Sequence, residues 1–490
     1  MCIVCGPGGT HFLQTLVERY GGGVPARARF VAEEVEPETV PPLDPDDHAD
    51  LAGPADVILR GGPILTMRRP GEAVAALALR AGRIQRLGDV ADVLALRSRL
   101  TRVIDLDGRA VTPGFVNAHW HPPLSLLCDW LPANDSGALA ELRRAGAADP
   151  GEWLVAQTES APPELVKTLD AIMARPALLV DASGNVLHAN AAAAGLPRAD
   201  EALRAAEGRH PHVSSLLPLF AQRMAASREP MQRRLRRTFG ALARGGFTCL
   251  RYCGLGGLGG AEDIIMARAA LNGQNLLRLR AALDMRLMDG LHRTPGFGDD
   301  MFRVDAAAAW IGPTPEAAGK LARHAAELRG QGWRVTWHTQ GAAIDGVPAP
   351  GADSFECRPG DVAQLAGQAA LGSLSVGLTL ADPPERAAAA ALRCLEASGA
   401  LVSISLDRVA GAAAPFEVLA HAEGRLDLLT SLAARRCGAG VILGTLDTGR
   451  YADLAFLDAD PRGRPASGVR CLATWIAGRE TRPEAAGALL

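Results

Sequence analysis

Val111-Thr112-Pro113-Gly114-Phe115-Val116-Asn117-Ala118-His119-Trp120-His121-Pro122 is the stretch whose reading decides the fold. An apolar run there ends in two histidines one residue apart. Successive side chains of a β-strand alternate between faces, so residues i and i+2 point the same way. His119 and His121 therefore aim together, Trp120 aims away, and one divalent metal can take both imidazoles.

Outward from this stretch the chain has two textures. Over 55–110, short β runs such as Asp56–Gly62 and Val103–Arg109 are split by Gly-containing turns, and the same texture returns over 441–490 in Tyr451–Asp458 and Val469–Arg479. Between them, residues 111–440 alternate apolar runs with Ala/Arg-rich helical stretches. Strand candidates are Ala177–Val180, Phe247–Tyr252, Leu279–Ala282, Arg334–His338, Ser373–Leu378 and Leu401–Leu406. Helix candidates are Pro315–Arg329, Pro384–Ser398 and Leu426–Arg435. This rhythm predicts an α/β fold: a (β/α)8 TIM-like barrel over 111–440, with a small β-sandwich domain formed from both chain ends. A doubly wound open sheet is the structural alternative, but no Gly-rich phosphate loop follows the first strand. Residues 1–54 read as a short helix ended by Gly21-Gly22-Gly23, then an acidic, Pro-rich linker.

The 490 residues are 48% hydrophobic and 21% charged, as in a soluble globular enzyme. A net charge of −3 gives no electrostatic case for a nucleic-acid or membrane partner. No apolar run approaches the roughly 18 residues of a membrane span, and no signal peptide is evident. Nine cysteines without disulfide-like spacing suit a reducing cytoplasm. Lysine occurs only at Lys167 and Lys320, both in helix-like stretches, among 51 basic residues. That scarcity limits the catalytic chemistry on offer.

In a barrel, the C-terminal ends of different strands converge on one pocket. His119 and His121 close the first strand, His338 closes Gly332–His338, Cys357 ends Ser354–Cys357, and Asp407 ends Ala400–Asp407. Three histidines, an aspartate and a thiol so placed make a zinc site. Each alone also fits a structural role: a buried hydrogen-bonded histidine, an aspartate capping a turn, a cysteine acting as a small hydrophobe. Other candidates carry less. Cys2-x-x-Cys5 has no evident partner pair, since Cys249 and Cys253 are separated by three residues on a predicted strand. His210 and His212 sit in a polar connection, and Gly254–Gly260 reads as a loop at the barrel mouth rather than a phosphate cradle.

Five segments carry a family resemblance. Asp56–Gly62, Leu77–Ile84 and Val103–His121 together resemble the opening of the amidohydrolase superfamily. Gly332–Gly341 is similar to the "G-x-x-V-x-x-H-x-x-G" segment of the branch that includes N-substituted formamide deformylase and D-aminoacylase-related hydrolases. Arg450–Pro461 is similar to that branch's closing strand, "G-K-x-A-D-L-V-V-L-D-x-D-P". The likeness implies the same barrel and sandwich. It also implies one or two divalent metals held by a His-x-His pair, two later histidines and a late aspartate. His119, His121, His338 and Asp407 stand at matching positions.

Three departures alter what the resemblance implies. Ala308 stands where the binuclear branch has a carboxylated lysine, Phe355-Glu356-Cys357 where it has "I-E-H", and Ser183-Gly184-Asn185 where it has "D-G-H". The expectation is one metal ion, zinc with iron or manganese as alternatives, held by His119, His121, His338 and Asp407. Cys357 is either a further ligand or simply nearby. Such an ion lowers the pKa of bound water to roughly 7, and the hydroxide attacks an amide-type carbon. Asp407 and His338 are the catalytic candidates, with Asp407 as general base and then acid. The chain is expected to be a metal-dependent hydrolase of a non-peptide C–N bond in a small-molecule substrate. The rival is a catalytically degenerate barrel that serves as a binding or partner subunit. A homodimer is the expected assembly.

Overall fold

The computed structural model describes, with short gaps, residues 51–122, 129–132, 154–195, 228–338, 354–357, 375–380, 388–406 and 415–481. The expected N-terminal helix and linker, Cys2, Cys5, Ser183–Asn185, His210, His212 and Asp407 lie outside the described residues. The chain divides into two compact units.

The larger unit holds the barrel. Its strands are β1 (Phe115–Trp120), β2 (Phe247–Leu255), β3 (Arg278–Asp284), β4 (Phe302–Trp310), β5 (Arg334–His338), β6 (Ser354–Cys357), β7 (Ser375–Leu380) and β8 (Leu401–Leu406). They lie side by side in chain order, with parallel ladders between β1 and β2 and from β3 through β8. Asn117 of β1 reaches Leu406 of β8 and brings the two ends of the sheet together.

Alternation explains which side chains enter the barrel. In β5 and β6, Trp337 stacks on Phe355 on one face, with ring centroids 6.3 Å apart. On the other face the Thr336 and Ser354 hydroxyls meet at 3.1 Å, and His338 lies in register with Glu356. The interior also contains a cluster of Cys253, Ala282, Ala306 and Ala308 with Trp310 against it. Alanine is a poor strand former, but small side chains are what the crowded interior accepts. A second interior cluster joins Val116, Ala118 and Cys249 to Ala433, Ala434 and Cys437 from the helix Ser431–Arg436 and its end. Arg251 and Arg334 donate to the carbonyls of Cys437 and Arg436, where a helix end leaves acceptors unmet. The sequence reads Leu426–Arg435 as one helix; the structure splits it into a 3-10 turn, Leu426–Leu429, and the helix Ser431–Arg436.

Both chain ends build one eight-stranded sheet in the same unit. Its order is Arg479–Glu480, Cys471–Ile476, Leu454–Leu457, Ala110–Pro113, Val57–Leu65, Ala73–Arg80 and Arg83–Gly88, with Arg102–Asp105 also pairing Val57–Leu65. Period-2 patterning gives it two cores. Leu59, Leu77 and Leu79 pack on one face with Leu454 and Trp475. Ile58, Ala76 and Ala78 pack on the other with Val93 of the helix Val90–Leu94. A buried ion pair, Arg278 to Asp453 at 2.7 and 3.0 Å, ties β3 to the C-terminal part of this sheet.

The smaller unit contains a four-stranded sheet in the order Val186–Ala189, Ala177–Val180, Leu154–Gln157, Asp129–Pro132. Ala177–Val180, read from the sequence as a barrel strand, belongs here. All four of its residues are buried, and a strand covered on both faces reads the same in any sheet. Among the described residues, no helix is long and apolar enough to cross a membrane.

Candidate functional site

His119 is placed by an irregularity in β1. Asn117 pairs with Leu250 and Trp120 with Tyr252, so Ala118 and His119 together oppose the single residue Arg251. A bulge of this kind re-aims side chains. Ala118 stays with the interior cluster that includes Val116. Trp120 packs edge-on against Tyr252 at 5.0 Å and lies 6.0 Å from Phe239 of the helix Arg228–Arg244. His119 turns toward β5, with its ring 4.9 Å from that of His338.

His338 ends β5. Its Nδ1 lies 3.1 Å from the carbonyl oxygen of Ala309. A carbonyl can only accept, so Nδ1 carries the hydrogen and the lone pair of the neutral ring sits on Nε2. The Trp310 indole stacks on the ring at 4.7 Å and 15°. Gly254 makes room for that indole: with φ at +69°, a Cβ there would lie 2.5 Å from Trp310 Cη2.

The third member is Cys253 of β2. One ligating atom from each of His119, Cys253 and His338 lies within 4.8 Å of the other two, and all three residues are buried. For three atoms so spaced some point lies within roughly 2.8 Å of all of them, about half an ångström beyond Zn–N and Zn–S lengths. Two imidazoles and a thiol are a donor set that fits zinc or a similar first-row ion. Burial, with the Glu356 charge adding to it, pushes the Cys253 thiol well above its usual range. By itself it is a neutral thiol, and a cation is what would draw it to thiolate.

Glu356 completes the electrostatics. Its Oε1 lies 3.4 Å from His119 Nδ1 and accepts from Arg436 Nη1. Burial alone would raise its pKa, but Arg436 and then His119 override that and hold it at about 2. It is therefore a carboxylate at neutral pH.

The other sequence candidates are distributed as follows. His121 is fully buried just past the end of β1. Asp407 follows Leu406, the last residue of β8, and lies outside the described residues. Cys357 is buried in β6, in register with Leu378, and alternation puts it on the face opposite Glu356. It is not among the residues grouped with His119 and His338; Cys253 supplies the thiol there. Ala308, at the lysine's place, lies in the interior cluster with Cys253.

Three residues of or beside the candidate site escape the sequence reading. Cys253 leaves a signal: Cys249, Arg251 and Cys253 stand at i, i+2 and i+4 of one strand and so share a face. Glu356 is visible only as part of a motif. Arg436 leaves none, because nothing local separates it from Arg435; only the packed helix buries one and exposes the other.

A profile of the amidohydrolase family matches residues 102–394. The structure is similar to an uncharacterized metal-dependent hydrolase from Pyrococcus horikoshii OT3, with a TM-score of 0.60 and 15% identity, over 84% of this chain and 99% of that one. A metal-dependent hydrolase from Pyrococcus furiosus gives 0.62 and 15%, over 83% and 99%. An adenosine deaminase from Xanthomonas campestris with bound zinc gives 0.52 and 15%, over 87% and 93%. At this identity the likenesses speak for the fold. No curated protein matches the chain.

Proposed function

The chain belongs to the amidohydrolase family, and from that membership we propose that it is a one-metal hydrolase that cleaves an amide-type C–N bond in a small molecule. The observation that carries this reading is the buried His119–Cys253–His338 group at the C-terminal end of the barrel strands, the end where such barrels do their chemistry. A divalent cation bound there would supply Lewis acidity, lowering the pKa of water and polarising the substrate's carbonyl.

The chain's own residues would do the rest. His338 presents Nε2 because Ala309 holds the hydrogen on Nδ1. Trp310 lies flat against the same ring and keeps water from that side. His121 remains the sequence-based candidate for a further ligand. Asp407 is the candidate to take a proton from water and pass it to the leaving nitrogen. Ala308 offers no bridging group, which favours one ion over two. N-acyl, N-formyl and cyclic amides are the substrate classes this reading favours, and the terminal sheet is read as the barrel's β-sandwich companion. A cytoplasmic homodimer is the proposed setting.

The test combines metal analysis with an assay for amine release from those amides. About one zinc, iron or manganese per chain, lost in His119→Ala, with amide cleavage that tracks loading, supports the reading. A chain that takes up no metal after reconstitution overturns it and leaves the degenerate binding barrel.

A further inference from the structure

Beneath the histidines the barrel holds a buried charge pair that the proposed chemistry does not use. Arg436 is the last residue of the helix Ser431–Arg436, and its side chain is 1% exposed. Its guanidinium touches two strands. Nη1 donates to Glu356 Oε1 on β6, while Nε and Nη2 donate to the hydroxyls of Ser403 and Ser405 on β8, each at 2.7 Å. Between them β7 passes as Gly377, where a Cβ would collide with both Glu356 Oε2 and Arg436 Nη1. The space for this pair exists only because that residue has no side chain.

We propose that Arg436 is a positioning residue of the metal site: it fixes the Glu356 carboxylate, and through it the orientation and tautomer of His119. The oxygen that Arg436 holds is the one 3.4 Å from His119 Nδ1. A carboxylate cannot donate, so a hydrogen carried on the nitrogen that faces it would leave Nε2 of His119 for the cation. Outer carboxylates commonly orient metal-binding histidines in this way. A guanidinium suits the task because its donors lie in one rigid plane; a lysine ammonium would hold the same charge without the direction. The other interior pair makes a useful contrast. Arg251 and Asp305 end on Arg280 and two backbone carbonyls, whereas Arg436 and Glu356 end on a histidine of the candidate site.

This inference rests on the reading of the cluster as a cation site, and the test separates the two. Cobalt affinity is measured by competition with a chromophoric chelator, together with the visible cobalt spectrum, for Glu356→Gln, Arg436→Lys, Arg436→Met and the combined Glu356→Gln/Arg436→Met. Arg436→Met alone leaves a buried carboxylate unpaired and can fail to fold; the combined variant removes both charges at similar volume. Each folded variant should lose about 10–100-fold in cobalt affinity and show a shifted spectrum. The combined variant should be no weaker than Glu356→Gln, because both changes act through one contact. Unchanged affinity in folded Arg436→Lys and in the combined variant overturns the positioning role while the cation site stands. Additive losses overturn it as well. A wild-type chain that binds no cobalt overturns both readings.

Discussion

The carboxamide of Asn117 pairs with the backbone of Leu406 as a strand residue would: Nδ2 donates to the Leu406 carbonyl at 2.8 Å, and Oδ1 accepts from the Leu406 N–H at 3.0 Å. The first and last barrel strands are thus joined by a side chain. The joint lies two residues before His119 on one strand and directly before Asp407 on the other. Asn117→Ala would leave a buried donor and acceptor unmet at about 1–3 kcal/mol each. The expected result is a lower thermal midpoint together with weaker retention of metal. A variant that melts with the wild type would show that the barrel closes by other means.

Metal content should follow Cys253 rather than Cys357. Cys253→Ala removes a donor from the His119–His338 group at little cost in packing. The metal should be lost or bound much more weakly, and with cobalt the thiolate charge-transfer absorbance should disappear. Cys357→Ala, on the other face of β6, should keep both. The reverse pattern would return the thiol role to the residue the sequence suggests.

The barrel was legible from the sequence because its strands are short apolar runs spaced by helical stretches. Arg334–His338 and Leu401–Leu406 carry the same limits in sequence and structure. Ala177–Val180 misled because burial on both faces hides which sheet a strand joins. His119 and His338 stood out as candidates because each follows an apolar strand, and the structure brings the two rings together. Cys253 and Arg436 were not: one is a small buried residue among several cysteines, the other one arginine among many. Their meaning comes from contacts between strands far apart in the chain, which no local pattern encodes.

Gly254→Ala should disturb the site without touching a ligand. At φ +69° an alanine is strained by about 1–2 kcal/mol, and its Cβ would press on Trp310. The indole would then leave the face of His338. A changed near-UV dichroism signal and a fall in activity with the fold retained are the expected readings. An unaltered aromatic signal would mean that Trp310 does not depend on that glycine.

Acid should expose the worth of Asp305. Arg251 Nη1 donates to its Oδ1, and Arg280 Nη1 to its Oδ2 at 2.8 Å. Burial alone would raise its pKa; Arg251 and then Arg280 outweigh burial and hold it below the usual carboxylate range. A carboxyl depressed in the folded state adds stability that is fully present above its unfolded pKa, about 3.9, and is lost as pH falls through the folded value. Asp305→Asn keeps the shape but leaves two guanidinium groups facing each other in the interior. Breaking a buried pair from one side costs about 3–5 kcal/mol, so the variant should be clearly less stable near neutral pH. It should also lose less than the wild type on acidification, since the titrating group is gone. Thermal midpoints measured from neutrality into acid would read both effects. Parallel curves with equal midpoints at neutral pH would mean that the two arginines do not depend on this carboxylate for their place in the barrel.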